Sequence, residues 1–109
     1  MKIRAKNGEQ TVDITLPATD MDIQYCMKCI GIEDIVPVCC ISEVWDEPSY
    51  FGFLKGQTVS MDELNFLARR LDGMTEYEKR VVGVYSSETG IREMKQLINL
   101  TYSLQGLSL

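Results

Sequence analysis

The 109 residues suffice for one domain or for two small modules sharing a core, and 45% apolar with 25% charged residues is the mix of a globular chain, not of a disordered tail. A net charge of −5 argues against nucleic acid as a direct ligand, because phosphate binding needs a concentrated basic patch. The chain has no histidine, the commonest general base and metal ligand, which weighs against hydrolytic and metal-assisted chemistry.

Residues 1–16 read as a β-hairpin. Lys2 to Lys6 alternates, Asn7-Gly8 is a strong two-residue turn signal, and Thr11 to Leu16 alternates again before Pro17 stops the strand. A helix is expected from Asp20 to about Ile30, capped by Thr19 or Asp20, with Asp20 and Asp22 at the positive end of its dipole and Gly31 as its exit. Its apolar stripe is Ile23, Cys26, Met27 and Ile30. Val36 to Trp45 reads as a strand, with Pro37 at its start or at an edge, and residues 49–57 as a connection containing glycine and aromatics.

The second half is punctuated by two capping boxes, Ser60-Met61-Asp62-Glu63 and Thr75-Glu76-Tyr77-Glu78. The first opens a helix to about Asp72 that buries Leu64, Leu67, Ala68 and Leu71. The second opens a helix with Tyr77, Val81, Val84 and Tyr85 on one side. After Gly90 a third helix carries Ile91, Met94, Leu97, Ile98, Thr101 and Tyr102. The expectation is an α+β fold, a small antiparallel sheet with one helix (residues 1–57) followed by a three-helix module (residues 58–109).

Charge is divided unevenly between these parts. From Asn7 to Leu54 nine carboxylates (Glu9, Asp13, Asp20, Asp22, Glu33, Asp34, Glu43, Asp46, Glu47) face Lys28 alone, a local net of −8. From Lys55 onward seven acids meet seven bases. Such asymmetry points to a partner that reads charge. The carboxylate pairs lack the spacing of a calcium loop, and Ser and Thr have no histidine to activate them, so neither a catalytic residue nor a cofactor is expected.

Cys26-Met27-Lys28-Cys29 has the spacing of half a zinc site or a redox dithiol. A second such pair is missing, Cys39-Cys40 would point to opposite faces of a strand, and Cys26 falls on an apolar stripe. Packing is the expected role and no metal is expected. Trp45, Tyr50, Phe51 and Phe53 are expected to plug the space between sheet and helices, or else to form an exposed anchor for a partner. No apolar run approaches the roughly 20 residues of a membrane span. Residues 1–6 carry charge with no apolar stretch behind them, so neither a leader nor a membrane is expected, and the cytoplasm is the expected compartment.

Three segments taken together, Leu16-Pro17-Ala18-Thr19, Asp62 to Leu71 and Leu97-Ile98-Asn99-Leu100-Thr101-Tyr102, resemble the antirestriction ArdA-type proteins of mobile genetic elements. The resemblance follows order and spacing across roughly residues 14–104. It implies a non-enzymatic, acidic mimic of duplex DNA that occupies the DNA-binding cleft of a type I restriction–modification enzyme. The members of that family carry a further acidic C-terminal domain that helps form a dimer, so a homodimer is one association state to consider. On this sequence the presenting carboxylates would be Asp20, Asp22, Glu33, Asp34, Glu43, Asp46 and Glu47. The alternative is a protein–protein interaction or regulatory module that uses the aromatic patch near Trp45 and Phe51, without antirestriction activity.

Overall fold

The computed structural model describes residues 1–45, 51–91 and 93–104. Strand β1 (Lys2–Asn7) and strand β2 (Gln10–Thr15) form the hairpin, with Gly8-Glu9 as its two-residue loop and Asn7 paired with Gln10. The turn thus lies one residue later than Asn7-Gly8. Gly8 supplies the positive φ (+64°) that this loop requires. Asn7 is released for another task, and its Nδ2 donates to the carbonyl of Ile30 (2.7 Å).

Helix α1 (Asp20–Cys29) follows the cis Leu16–Pro17 peptide, and Thr19 Oγ1 caps it by accepting from the Asp22 N–H (3.1 Å). Ile23, Met27 and Ile30 turn inward against Ile3, Ala5 and Ile14 of the hairpin. Strand β3 (Val38–Trp45) pairs with β1, and β4 (Thr58–Ser60) pairs with β3, so the antiparallel order is β2-β1-β3-β4. In sequence, residues 58–60 read only as the approach to a helix cap. In the fold they lie beside β3 and complete the sheet.

A β-bulge places Arg4 opposite Glu43 and Ala5 opposite Ile41, leaving Ser42 as the extra residue; its hydroxyl donates to the Arg4 carbonyl (3.3 Å). The bulge reverses the sidedness of β3. Cys39 and Ile41 are buried, Val44 shares their side with Ile3, and Glu43 and Trp45 stand with Lys2 and Arg4 on the open face.

Helix α2 (Met61–Asp72) buries Met61, Leu64, Asn65, Leu67, Ala68 and Leu71. Helix α3 (Glu76–Thr89) opens with a complete capping box: Thr75 Oγ1 accepts from the Glu78 N–H (3.1 Å) and Glu78 Oε1 from the Thr75 N–H (2.8 Å). Helix α4 (Met94–Leu104) packs against both α2 and α3. One cluster of buried residues runs from Ile3 and Ile41 through Leu64 and Leu71 to Val82 and Leu97. The fold is α+β, a four-stranded antiparallel sheet with one helix on its inner face and three helices after it.

Two apolar groups sit differently from the sequence reading. Trp45 is 40% exposed on the open face, and it is Phe51, 3% exposed, that plugs the interior. Tyr50 lies outside the described residues. On α3 the inward residues are Glu78, Val82, Gly83 and Ser86, whereas Tyr77, Val84 and Tyr85 face solvent. The small Gly83 and Ser86 lie on the buried side with Val82, and the bulky stripe is left outside.

Candidate functional site

Two hydrogen bonds bring the start of α1 beside α2. Asn65, 2% exposed, accepts through Oδ1 from the Ala18 N–H (2.9 Å) and donates through Nδ2 to the Ala18 carbonyl (3.0 Å). Arg69 Nη2 donates to the same carbonyl (3.2 Å). A further bond, from the Met61 N–H to the Pro37 carbonyl (2.9 Å), draws residues 32–37 onto the first turn of α2. Between these three walls lies a groove of about 320 Å³, lined by Asp20, Ile23 and Gln24 of α1, by Ile35 and Pro37, and by Asp62, Asn65, Phe66 and Arg69 of α2. A second groove of about 220 Å³ runs on from it. The two share Gln24, Ile35 and Pro37, and the second adds Lys28, Glu33 and Asp34.

Asp20, Glu33, Asp34 and Asp62 therefore border one connected depression, with Lys28 and Arg69 as the bases among them. Ile35, 95% exposed, stands on the ridge between the two parts, and Phe66 is 42% exposed at the far wall. The surface joins negative charge to apolar area, which suits a partner bearing both bases and an apolar side chain.

Of the seven carboxylates singled out from the sequence, three meet here. Asp22 lies two residues beyond Asp20, about 200° further round the helix. It faces Cys26, whose thiol is raised by burial first and then by Cys29 and Asp22. Glu43 stands on the open face of the sheet, opposite Arg4, and is paired with Lys55 Nζ (3.0 Å). Asp46 and Glu47 lie outside the described residues. Asp62 escapes a sequence reading because its place in the capping box accounts for it. The deciding contact is the Pro37–Met61 bond, which sequence spacing does not reveal.

On the open face Arg4 holds Asp13 with two hydrogen bonds (2.7 and 3.3 Å). Lys2 Nζ and the Arg4 guanidinium lie 5.4 and 5.0 Å from the Trp45 ring centre. Phe51, the second member of the anticipated aromatic patch, is in the core against Phe53 with ring centres 6.0 Å apart.

All four cysteines are free thiols. Burial pushes Cys39 up to about 11 and raises Cys26 as well, the reverse of the thiolate stabilisation that metal binding or redox exchange exploits. Among the described residues no group of three or more carboxylates and thiols is placed to hold a metal ion, and no helix is long and apolar enough to cross a membrane.

No family model, curated protein or solved structure matches this chain.

Proposed function

We propose that this protein works by binding, presenting the α1–α2 groove to a basic surface of a protein partner. The observation that supports this reading is the gathering of Asp20, Asp62, Glu33 and Asp34, three of them from the acidic stretch of the chain, around one depression with Ile35 at its centre. Long-range attraction would steer the partner, and the apolar ridge would hold it once seated. No chemical step is required of the protein.

The ArdA-type resemblance suggests which basic surface to try first, the DNA-binding cleft of a type I restriction–modification enzyme. Duplex DNA carries about one negative charge per 1.7 Å of axis, so four carboxylates imitate only about two base pairs. Occupying such a cleft would then draw on further acids of the same chain or on more than one copy.

The test is inhibition of a purified type I restriction–modification enzyme by the full chain at 50 mM and 300 mM salt, with the Asp20→Asn/Asp62→Asn double variant beside it. Near-stoichiometric inhibition that weakens at high salt and in the double variant is the expected result. No inhibition at a hundredfold excess would remove the antirestriction reading. The broader reading falls if binding to any basic partner found for the protein is unaffected by salt and by the double variant.

Among the described residues of the second reading, an interaction module built on aromatic residues, Phe51 is buried, Phe53 is partly buried and Trp45 is exposed, so that reading turns on Trp45. Trp45→Ala abolishing partner binding while Asp20→Asn/Asp62→Asn leaves it intact would favour that reading.

A further inference from the structure

The exposed stripe of α3 is an apolar surface with no occupant among the described residues. Tyr77, Arg80, Val81, Val84, Tyr85 and Glu88 line a shallow depression of about 360 Å³ along the outer side of the helix. Tyr77 is 39% exposed, Val84 43% and Tyr85 49%. Neither Arg80 nor Glu88 is ion-paired among the described residues.

Tyr77, Val81, Val84 and Glu88 are spaced four, three and four residues apart, the alternation with which one helix presents a seam to another. In a two-fold pair of antiparallel helices the contacts are reciprocal, each residue meeting a fixed partner and that partner meeting it in turn. A two-fold axis passing midway between Val81 and Val84 sets Val81 against Val84, Arg80 against Tyr85 and Tyr77 against Glu88, each pair occurring twice.

All six residues then find chemically matched partners. The valines bury each other, the guanidinium lies over a phenol ring, and the Tyr77 hydroxyl donates to the Glu88 carboxylate. A face that is complementary to itself only when turned end for end fits a second copy of this chain better than an unrelated helix.

We propose that the protein self-associates through α3, packed antiparallel against α3 of a second copy about an axis between Val81 and Val84. At 14 residues and 1.5 Å per residue, each helix offers a contact about 20 Å long. That places the interface at the small end of specific contacts, so association would depend on concentration. The proposal stands apart from the α1–α2 groove, which lies on other helices.

The test is sedimentation velocity of the full chain from about 5 to 500 µM, with single variants and their mixture. The wild type should pass from 12.4 kDa to twice that mass over this range. Val84→Glu and Val81→Lys should each remain monomeric throughout, with unchanged circular dichroism, a weakening of at least tenfold. Mixed in equal amounts, the two should recover a heterodimer, because the lysine introduced in one copy then meets the glutamate introduced in the other. A generally damaged fold would not show that rescue.

A wild type that stays monomeric at 500 µM overturns the proposal. A dimer indifferent to Val84→Glu overturns it equally, by placing the contact elsewhere. Two monomeric variants that fail to rescue each other refute the antiparallel register. If Val81→Lys loses its helical signal, Tyr85→Glu replaces it as the second disrupting variant, and loss of the dimer remains the expected result.

Discussion

Asn65 joins the two walls of the groove, and its removal has a calculable cost. Asn65→Ala deletes both hydrogen bonds to Ala18, at 2.9 and 3.0 Å. Each neutral bond contributes about 1 kcal/mol net. The Ala18 carbonyl keeps Arg69 at 3.2 Å, whereas the Ala18 N–H loses its acceptor, which adds about 1 kcal/mol of unrecovered desolvation. The expected loss is about 3 kcal/mol, and a protein of this size should melt about 12 °C lower or more.

Asn65→Leu separates bonding from packing, since it refills the volume and restores neither bond. It should lie within about 1 kcal/mol of the alanine variant. Urea titration followed by far-ultraviolet circular dichroism reads both, with the midpoint falling at an unchanged slope. The reasoning is refuted if leucine returns stability to within about 0.5 kcal/mol of the parent, or if alanine costs less than about 1 kcal/mol. Partner binding should weaken in both variants, because the start of α1 and the first turn of α2 would lose their mutual register.

The Cys39 thiol, raised by burial from 9.0 to about 11, links folding to alkaline pH. Its folded value lies above its unfolded one, so the associated stability is intact below pH 9 and is lost as the pH rises toward 11. Cys39→Val should remove that part of the alkaline decline, and in native protein at pH 8 a thiol reagent should modify exposed Cys29 well before Cys39. Asp13 is drawn below its ordinary 3.8 by the hydrogen bond from Arg4. The stability it contributes is present above that value and is lost as the pH falls through the lower folded one. Asp13→Asn should therefore be slightly less stable than the parent at pH 7 in thermal melts, and the gap should close under acid. Gly31 holds φ at +79°, and an added Cβ would lie 3.4 Å from Gln10 Oε1, so Gly31→Ala should cost about 1 kcal/mol by urea titration.

Much of the architecture follows from local signals. Thr19, Ser60 and Thr75 each cap the helix they announce, and alternation marks the hairpin and β3. What stays hidden depends on contacts distant in sequence. The three-residue β4 is a strand only because β3 lies beside it, and no short segment records the bulge at Ser42. The stripe on α3 has the periodicity of a buried face, yet the side the fold buries is the one with Glu78, Val82, Gly83 and Ser86, and periodicity alone does not tell the two sides apart. The groove shows the same division. Asp20, Glu33 and Asp34 belong to the evident acidic stretch, whereas Asp62 joins them only through the bonds that seat α2.

The extra residue in β3 also sets which kinds of sequence change the strand can absorb. Loss of Ser42 would be an exchange of sides for everything after it, sending Glu43 and Trp45 toward the interior and Val44 to solvent. Changes of length at this point are therefore barred in steps of one. Substitutions at positions 43 and 45 meet no such bar, because among the described residues those side chains meet Lys55, Arg4 and Lys2 on the outer face. The end of β3 can thus vary its surface chemistry over time while the half that carries Cys39 and Ile41 keeps the interior unchanged.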